Sequence, residues 1–366
     1  MNISGLPDYV RSCDLDKGSI YNAAKSSPYI VKIVAAGFAD EMSLELYSDA
    51  SGRLYLYLRE LLEPKLLTRL NFIFTIRVYA RGNAAPELMK SFHAVYCRQP
   101  DPFDPVSFKS FAEKNFLSSS PQIKLLADIP PLLATEVICV FSSDPDEAAV
   151  SHDVSVEYVD ADGQTVAVSK SFDFEVGDSL SITWVRQLFE LMCEAFPDLA
   201  GATLKSMSVT AGQRSRTYYF TSDPGYWELL LTSEFAVPET VHIPLQIEES
   251  SKMSAETVVL ASGARSVADT RVDDTISATA YIDIPTAMYL RRQLGNSGFS
   301  SLRKCGSGVY REVAVSSVDL KIVDSRSAEI KFSLIQSAEG YAFPPSFHDA
   351  LSSSRIFSSH FSSQFS

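Results

Sequence analysis

Residues 29–58 read YIVKIVAAGFADEMSLELYSDASGRLYLYL, and this stretch decides the fold class. Tyr29 to Gly37 is a β-branched run, and Leu44-Glu45-Leu46-Tyr47 alternates apolar with polar, the period of a half-buried strand. Asp49-Ala50-Ser51-Gly52 then turns the chain, because Gly tolerates the positive φ of a tight turn, and Leu54 to Leu58 alternates again. Strand, strand, turn, strand is the vocabulary of a β protein.

The pattern returns. Glu136 to Phe141 is a second β run, Val154 to Val159 alternates, Asp160-Ala161-Asp162-Gly163 turns, and Thr165 to Val168 continues. The turns differ at Ser51 against Asp162 and lie 111 positions apart, 49 against 160. Self-similarity at this spacing marks a duplicated unit. After the first turn comes Glu60 to Leu70 (ELLEPKLLTRL), in which Pro64 leaves room for a short helical piece only. After the second, Trp184, Leu188, Leu191 and Met192 fall at helical spacing within Leu180 to Phe196. Strands resume at Phe72 to Tyr79 and Phe92 to Cys97, and at Ser206 to Thr210 and Arg216 to Phe220.

The expected fold is therefore mainly β, with two similar β-sandwich-like domains in tandem, residues 1–99 and 106–224, each with a short helical crossover. The Pro-rich run Gln99 to Pro105 reads as a stiff linker, and Pro130-Pro131 as the entry to the second unit. Residues 225–343 read as a C-terminal α+β domain whose strand candidates include Leu229–Leu231, Val241–Leu245, Thr257–Leu260, Arg265–Arg271 and Thr275–Ile284. Pro285 opens its one helix, Thr286 to Leu294, and Gly295 closes it. A hairpin follows, Glu312 to Val323 and Glu329 to Ile335, around Asp324-Ser325-Arg326-Ser327.

Residues 344–366 form a Ser-rich extended tail carrying Phe357, Phe361 and Phe365. Serine cannot fill a core, so this segment cannot fold alone. Evenly spaced exposed Phe would invite aggregation, so the tail is expected to dock on this subunit or a neighbour. The three phenylalanines are the candidate assembly residues.

A chain of 366 residues exceeds one ordinary core, and 46% hydrophobic with 21% charged residues excludes wholesale disorder. A net charge of −13 argues against nucleic acid as a partner, and Arg291, Arg292, Arg303 and Lys304 read as a solvated helix flank. The first twenty residues hold Pro7, Asp8, Arg11, Asp14, Asp16 and Lys17, so no signal peptide is expected. No apolar run approaches a membrane span, so no membrane insertion is expected.

Chemistry is sparse. The five cysteines are dispersed without a C-x-x-C pair, and Cys97, Cys139 and Cys193 read as reduced core thiols. Asp160 to Gly163 resembles half a calcium loop, but Tyr158 and Ser169 stand where ligands are required. His152-Asp153 reads as a loop histidine beside a carboxylate. No residue is assigned a catalytic, cofactor-binding or metal-binding role, and no enzyme activity or cofactor is expected.

One resemblance adds to this. Trp227 to Thr240 (WELLLTSEFAVPET), the turn before the Pro285 helix, the hairpin from Val313 to Leu334 and the closing Arg355-Ile356-Phe357, with further Phe at four-residue steps, are similar to a family of tail structural proteins from phages and prophages of gut Bacteroidetes. The paired Asp-Ala-x-Gly units look like the paired β domains of those proteins. Here Ser separates the closing phenylalanines, where relatives carry more Asp and Asn. The resemblance implies a virion component, a phage tail or baseplate structural protein assembled in the host cytoplasm. It would self-associate into a homo-oligomer, such as a ring, through its β domains and C-terminal tail, and meet other tail proteins. It supplies no catalytic residue. The alternative is a carbohydrate-binding β-sandwich protein attaching to a host-surface glycan, with Trp184 and Trp227 as its tryptophan platforms.

Overall fold

Apolar–polar alternation builds the first sheet. The computed structural model describes residues 1–98, 107–127, 136–142, 144, 147–177, 179–223, 225–259, 265–296, 300–305 and 310–336. Its first unit runs β1 (Asn2–Ser4), β2 (Tyr9–Arg11), a 3-10 turn (Ser12–Lys17), β3 (Ser19–Tyr21), β4 (Pro28–Ala35), β5 (Glu41–Tyr47), β6 (Leu54–Tyr55), α1 (Arg59–Arg69), β7 (Asn71–Ala80) and β8 (Leu88–Val95). In β4, Tyr29, Val31, Ile33 and Ala35 point inward while Ile30, Lys32 and Val34 are half-buried opposite. Each such buried aliphatic side chain contributes about 1.5–3 kcal/mol. Together with Ile20, Leu54, Leu62, Leu66, Phe74 and Phe92 they make one core.

The second unit follows with α2 (Phe108–Lys114), β9 (Ile123–Leu126), β10 (Val137–Phe141), β11 (Ala149–Val159), β12 (Thr165–Glu175), β13 (Leu180–Trp184), α3 (Val185–Ala195), β14 (Thr203–Ala211) and β15 (Arg214–Phe220). The two units share a topology. One five-stranded sheet is ordered β5-β4-β7-β8-β2, the other β12-β11-β14-β15-β9. In both, the last strand joins in parallel: β2 on β8, β9 on β15. A smaller antiparallel pairing, β3 with β6 and β10 with β13, precedes each helix. The chain is thus mainly β, with each large sheet covered by a small sheet and a helix.

The register of the repeat differs from the one that the turns suggest. Asp160–Gly163 joins β11 to β12, whereas Asp49–Gly52 joins β5 to β6. Hence β4 matches β11, and Glu136 to Phe141 has no partner in Tyr29 to Gly37. The turns themselves are alike. Asp49 Oδ1 accepts from the Ser51 and Arg53 amides at 2.8 and 2.9 Å, and Asp160 Oδ1 from the Asp162 and Gln164 amides at 2.9 and 2.8 Å. Both glycines have φ of 78°. Local turn chemistry recurs wherever Asp-x-x-Gly must reverse a chain, so it identifies a turn and not its place in a fold.

Two helices also depart from expectation. α1 runs 11 residues with Pro64 inside it. Proline forfeits one backbone bond, but Leu62 and Leu66 are fully buried on its inner face, and that burial outweighs the loss. α3 begins after Trp184 and buries Val185, Leu188, Phe189 and Met192, while Leu191 is only half-buried.

The third unit comprises β16 (Tyr226–Thr232), β17 (Pro238–Pro244), β18 (Gln246–Val259), β19 (Arg265–Asp283), α4 (Ile284–Asn296), β20 (Ser300–Lys304), β21 (Arg311–Ile322) and β22 (Ser327–Gln336). Its seven-stranded sheet is ordered β17-β16-β20-β21-β22-β19-β18. Asp283 caps α4 by accepting from the Thr286 amide at 2.9 Å. Tyr289, Leu290 and Leu294 lay that helix on the sheet. The segments read as two strands, Arg265–Arg271 and Thr275–Ile284, are one strand.

A fourth apolar cluster lies between the three units. It joins Leu70, Val95 and Cys97 to Phe108, Cys139, Phe141, Phe235 and Val237. β10 (VICVF) therefore has both faces covered, Ile138 and Val140 in the second core and Val137, Cys139 and Phe141 in the shared one. That explains its unbroken apolar run. The Pro-rich linker, Pro130-Pro131 and the tail with Phe357, Phe361 and Phe365 lie outside the described residues. Among the described residues, no helix is long and apolar enough to cross a membrane.

Candidate assembly surface

Buried charge fixes the joint between the second and third units. Glu136 stands just before β10 with its carboxylate fully buried. Its Oε1 accepts from Lys124 Nζ of β9 at 2.7 Å, Arg216 Nη1 of β15 at 3.1 Å and Tyr218 Oη at 3.3 Å. Its Oε2 crosses to the third unit, accepting from the Thr240 amide and hydroxyl of β17 at 2.9 and 3.0 Å. Burial pushes this carboxyl up, but the Lys124 and Arg216 charges outweigh burial and hold it below its ordinary value. Glu136 is therefore ionised. Beside it, burial holds Glu239 above its ordinary value against the pull of the same two cations, and Tyr289 donates to its Oε2.

A second centre lies within the third sheet. Arg303 Nε donates to Glu228 Oε2 at 2.7 Å, and Tyr310 Oη donates to Oε1 at 2.7 Å. His242 Nδ1 accepts from the Ala127 amide of the second unit at 2.8 Å. A charge buried without its partner costs several kcal/mol, so these contacts specify one seating of the two sheets. β9 and β17, the neighbouring edges of their sheets, lie side by side there.

Above this floor runs a surface groove of about 380 Å³ between β9, β17, the end of β19 and the start of α4. Its rim carries Ile123, Tyr219 and Tyr281, which are 63%, 48% and 56% exposed. Tyr226, Asp283 and Thr286 are among the residues that line it on the third unit.

The other prominent surface is a ribbon. β18 and β19 pair from Gln246↔Thr279 out to Val259↔Arg265, but β22 pairs with β19 only from Thr275 to Asp283. Residues 251–259 and 265–274 thus extend past the sheet as two strands with no third strand among the described residues. Ten residues at about 3.3 Å each carry the ribbon about 33 Å from the sheet. Among the described residues neither outer edge pairs with a further strand, and a two-stranded ribbon is marginally stable in water.

Other residues singled out by type settle elsewhere. Arg303 is buried against Glu228, and Arg292 is half-buried with Ser119 and Glu234, so with Arg291 and Lys304 they do not form a solvated flank. His152 is no loop residue. It is fully buried in β11, edge-on to Phe174 at 5.0 Å, and burial lowers its pKa, while Asp153 faces the other way to Ser171. Trp184 ends β13 and packs in the shared cluster rather than on a helix face.

The sequence reading assigns no buried charge to Glu136, Lys124, Arg216 or Glu228 and does not find the ribbon. For Arg216 a signal existed: two residues before Tyr218 on an alternating strand, it shares that inward face. Val272-Asp273-Asp274 hid the ribbon, since Asp is poor in strands and reads as a break.

No family model matches the chain, and no curated protein matches it. Solved structures give distant likenesses. A chain in the tail of an empty GTA particle with C6 symmetry is 15% identical at TM-score 0.23, over 31% of this chain and 91% of that one. CBD12 from CALX1.2 is 7% identical at TM-score 0.18, over 55% of this chain and 76% of that one. The plexin A4 extracellular region is 7% identical at TM-score 0.17, over 93% of this chain and 40% of that one. Likenesses at these scores assign neither family nor function.

Proposed function

We propose that the chain is a non-enzymatic structural component of a phage or phage-derived tail, which self-associates into a homo-oligomer. The carrying observation is the two-stranded ribbon of β18 and β19, whose outer edges have no third strand among the described residues and gain stability when a neighbouring copy supplies one. The tight joint at Glu136 suits this role, because it lets the second and third units move as one block in an assembly. The Phe-bearing tail supplies a second contact. Light scattering on a chain ending at Phe343 tests that part. A smaller assembly mass than the full chain supports the tail's role, and an equal mass removes it.

A second reading has its own observation. The groove presents the rings of Tyr219, Tyr226 and Tyr281 beside Asp283 and Thr286, the mixture of aromatic faces and hydrogen-bonding groups that suits a sugar. Glycan-array binding by the full chain that is lost in Tyr281→Ala would favour host-glycan attachment over pure assembly.

A further inference from the structure

The sequence offers five separated thiols, yet the fold brings two of them together. β2 and β8 pair in parallel as Tyr9↔His93, Val10↔Ala94 and Arg11↔Val95. Cys13 and Cys97 each lie two residues past the last pair. Ser12 locks this end, its hydroxyl donating to the Cys97 carbonyl at 2.9 Å and accepting from the Cys97 amide at 3.0 Å. Tyr9 stacks on His93 with ring centroids 5.5 Å apart, holding the strands in step. Both cysteine side chains pack in the apolar cluster shared by the three units. Cys13 is the second residue of the 3-10 turn, so the two bonds from Ser12 to the Cys97 main chain set the two cysteines on adjoining segments.

We propose that Cys13 and Cys97 are an oxidisable pair that a small-molecule disulfide converts to an intramolecular bond stapling the first unit. The chemistry divides between the two sulfurs. Cys13 is half-buried, and the Cys97 side chain beside it holds its thiol below the ordinary value, with Arg11 adding to that pull and burial and the Asp14 carboxylate opposing it. It is the nucleophile. Its thiolate attacks the external disulfide, forming a mixed disulfide and releasing one thiolate. Cys97, buried and held well above its ordinary value, loses its proton to solvent as it attacks the Cys13 sulfur and expels the second thiolate. Two protein thiols and one external disulfide become one protein disulfide and two small thiols. The bond closes a loop from residue 13 to residue 97, nearly the whole first unit. A chain that folds with free thiols would gain the staple on passing to an oxidising medium.

The test uses the full reduced chain with oxidised glutathione as the probe, followed by acid quench, proteolysis and mass spectrometry. The expected result is a linked Cys13–Cys97 peptide, and two of the five thiols lost from titration in denaturant. Cys97→Ser is expected to stop at glutathione on Cys13, and Cys13→Ser to leave Cys97 untouched. Because either serine could unsettle the core, the linked peptide in the unsubstituted chain decides the matter. Retention of all five thiols, glutathione held on Cys13 of the unsubstituted chain, or a link between other cysteines would overturn the proposal.

Discussion

Glu136 shows how one residue organises two units. It holds Lys124 and Arg216 neutralised in a dry joint and reaches the Thr240 backbone across the boundary. Glu136→Ala strands two buried cations, and urea unfolding should record a loss of about 3–5 kcal/mol. Its pH signature has a definite sign. The folded pKa lies below the ordinary 4.5, so the stability that Glu136 provides is full above that pH and is lost as pH falls through the folded value. His93 acts higher on the scale. Burial pushes it down to about 4 from 6.5, where it sits between Tyr9 and Phe141. A histidine held neutral costs stability as acid protonates the unfolded chain, so the urea midpoint should drop between pH 6.5 and about 4. In His93→Gln that part of the pH dependence should vanish.

The two look-alike glycines give a sharper residue-scale test of context. A Cβ on Gly163 meets no atom within 4 Å, so Gly163→Ala should cost only the positive-φ strain of about 1–2 kcal/mol. A Cβ on Gly52 would stand 2.4 Å from the Ala23 carbonyl oxygen, so Gly52→Ala should cost clearly more. Thermal melting of the two variants checks the order. Equal losses would mean that the turns are equivalent in surroundings as well as in shape.

Among elements, period-two strands were legible and doubly covered ones less so. β4 and β11 announce their inward faces through alternation. β10 does not alternate because its two faces belong to different cores, and that hid its position in the repeat. Pro64 suppressed α1 on local grounds, but buried Leu62 and Leu66 restored it. The hairpin of β21 and β22 was readable because Asp324 turns it locally, its Oδ1 accepting from the Arg326 and Ser327 amides at 2.7 and 2.8 Å. The ribbon was not, because its length depends on pairing along β19 rather than on composition. Its outer amides have no third strand among the described residues, so hydrogen exchange over residues 251–259 and 265–274 should be fast in dilute protein and slow as concentration rises. Exchange that ignores concentration would mean that the ribbon takes no neighbour.

At the scale of the molecule, the mainly-β character was visible in the sequence while the joints between the units were not. Glu136, Lys124, Arg216 and Thr240 come from widely separated positions, and nothing local marks a charge that finds its counter-ion across the fold. The shared apolar cluster likewise draws on residues from Leu70 to Val237. These joints turn two β units and a third sheet into a block, and the ribbon is proposed as its assembly element. Sedimentation velocity of the full chain beside a variant in which Asn-Gly replaces residues 251–274, joining Ser250 to Thr275 across their existing pairing, tests it most directly. The expected result is concentration-dependent oligomers for the full chain and a folded species of lower mass for the variant. Identical mass distributions for the two would contradict it.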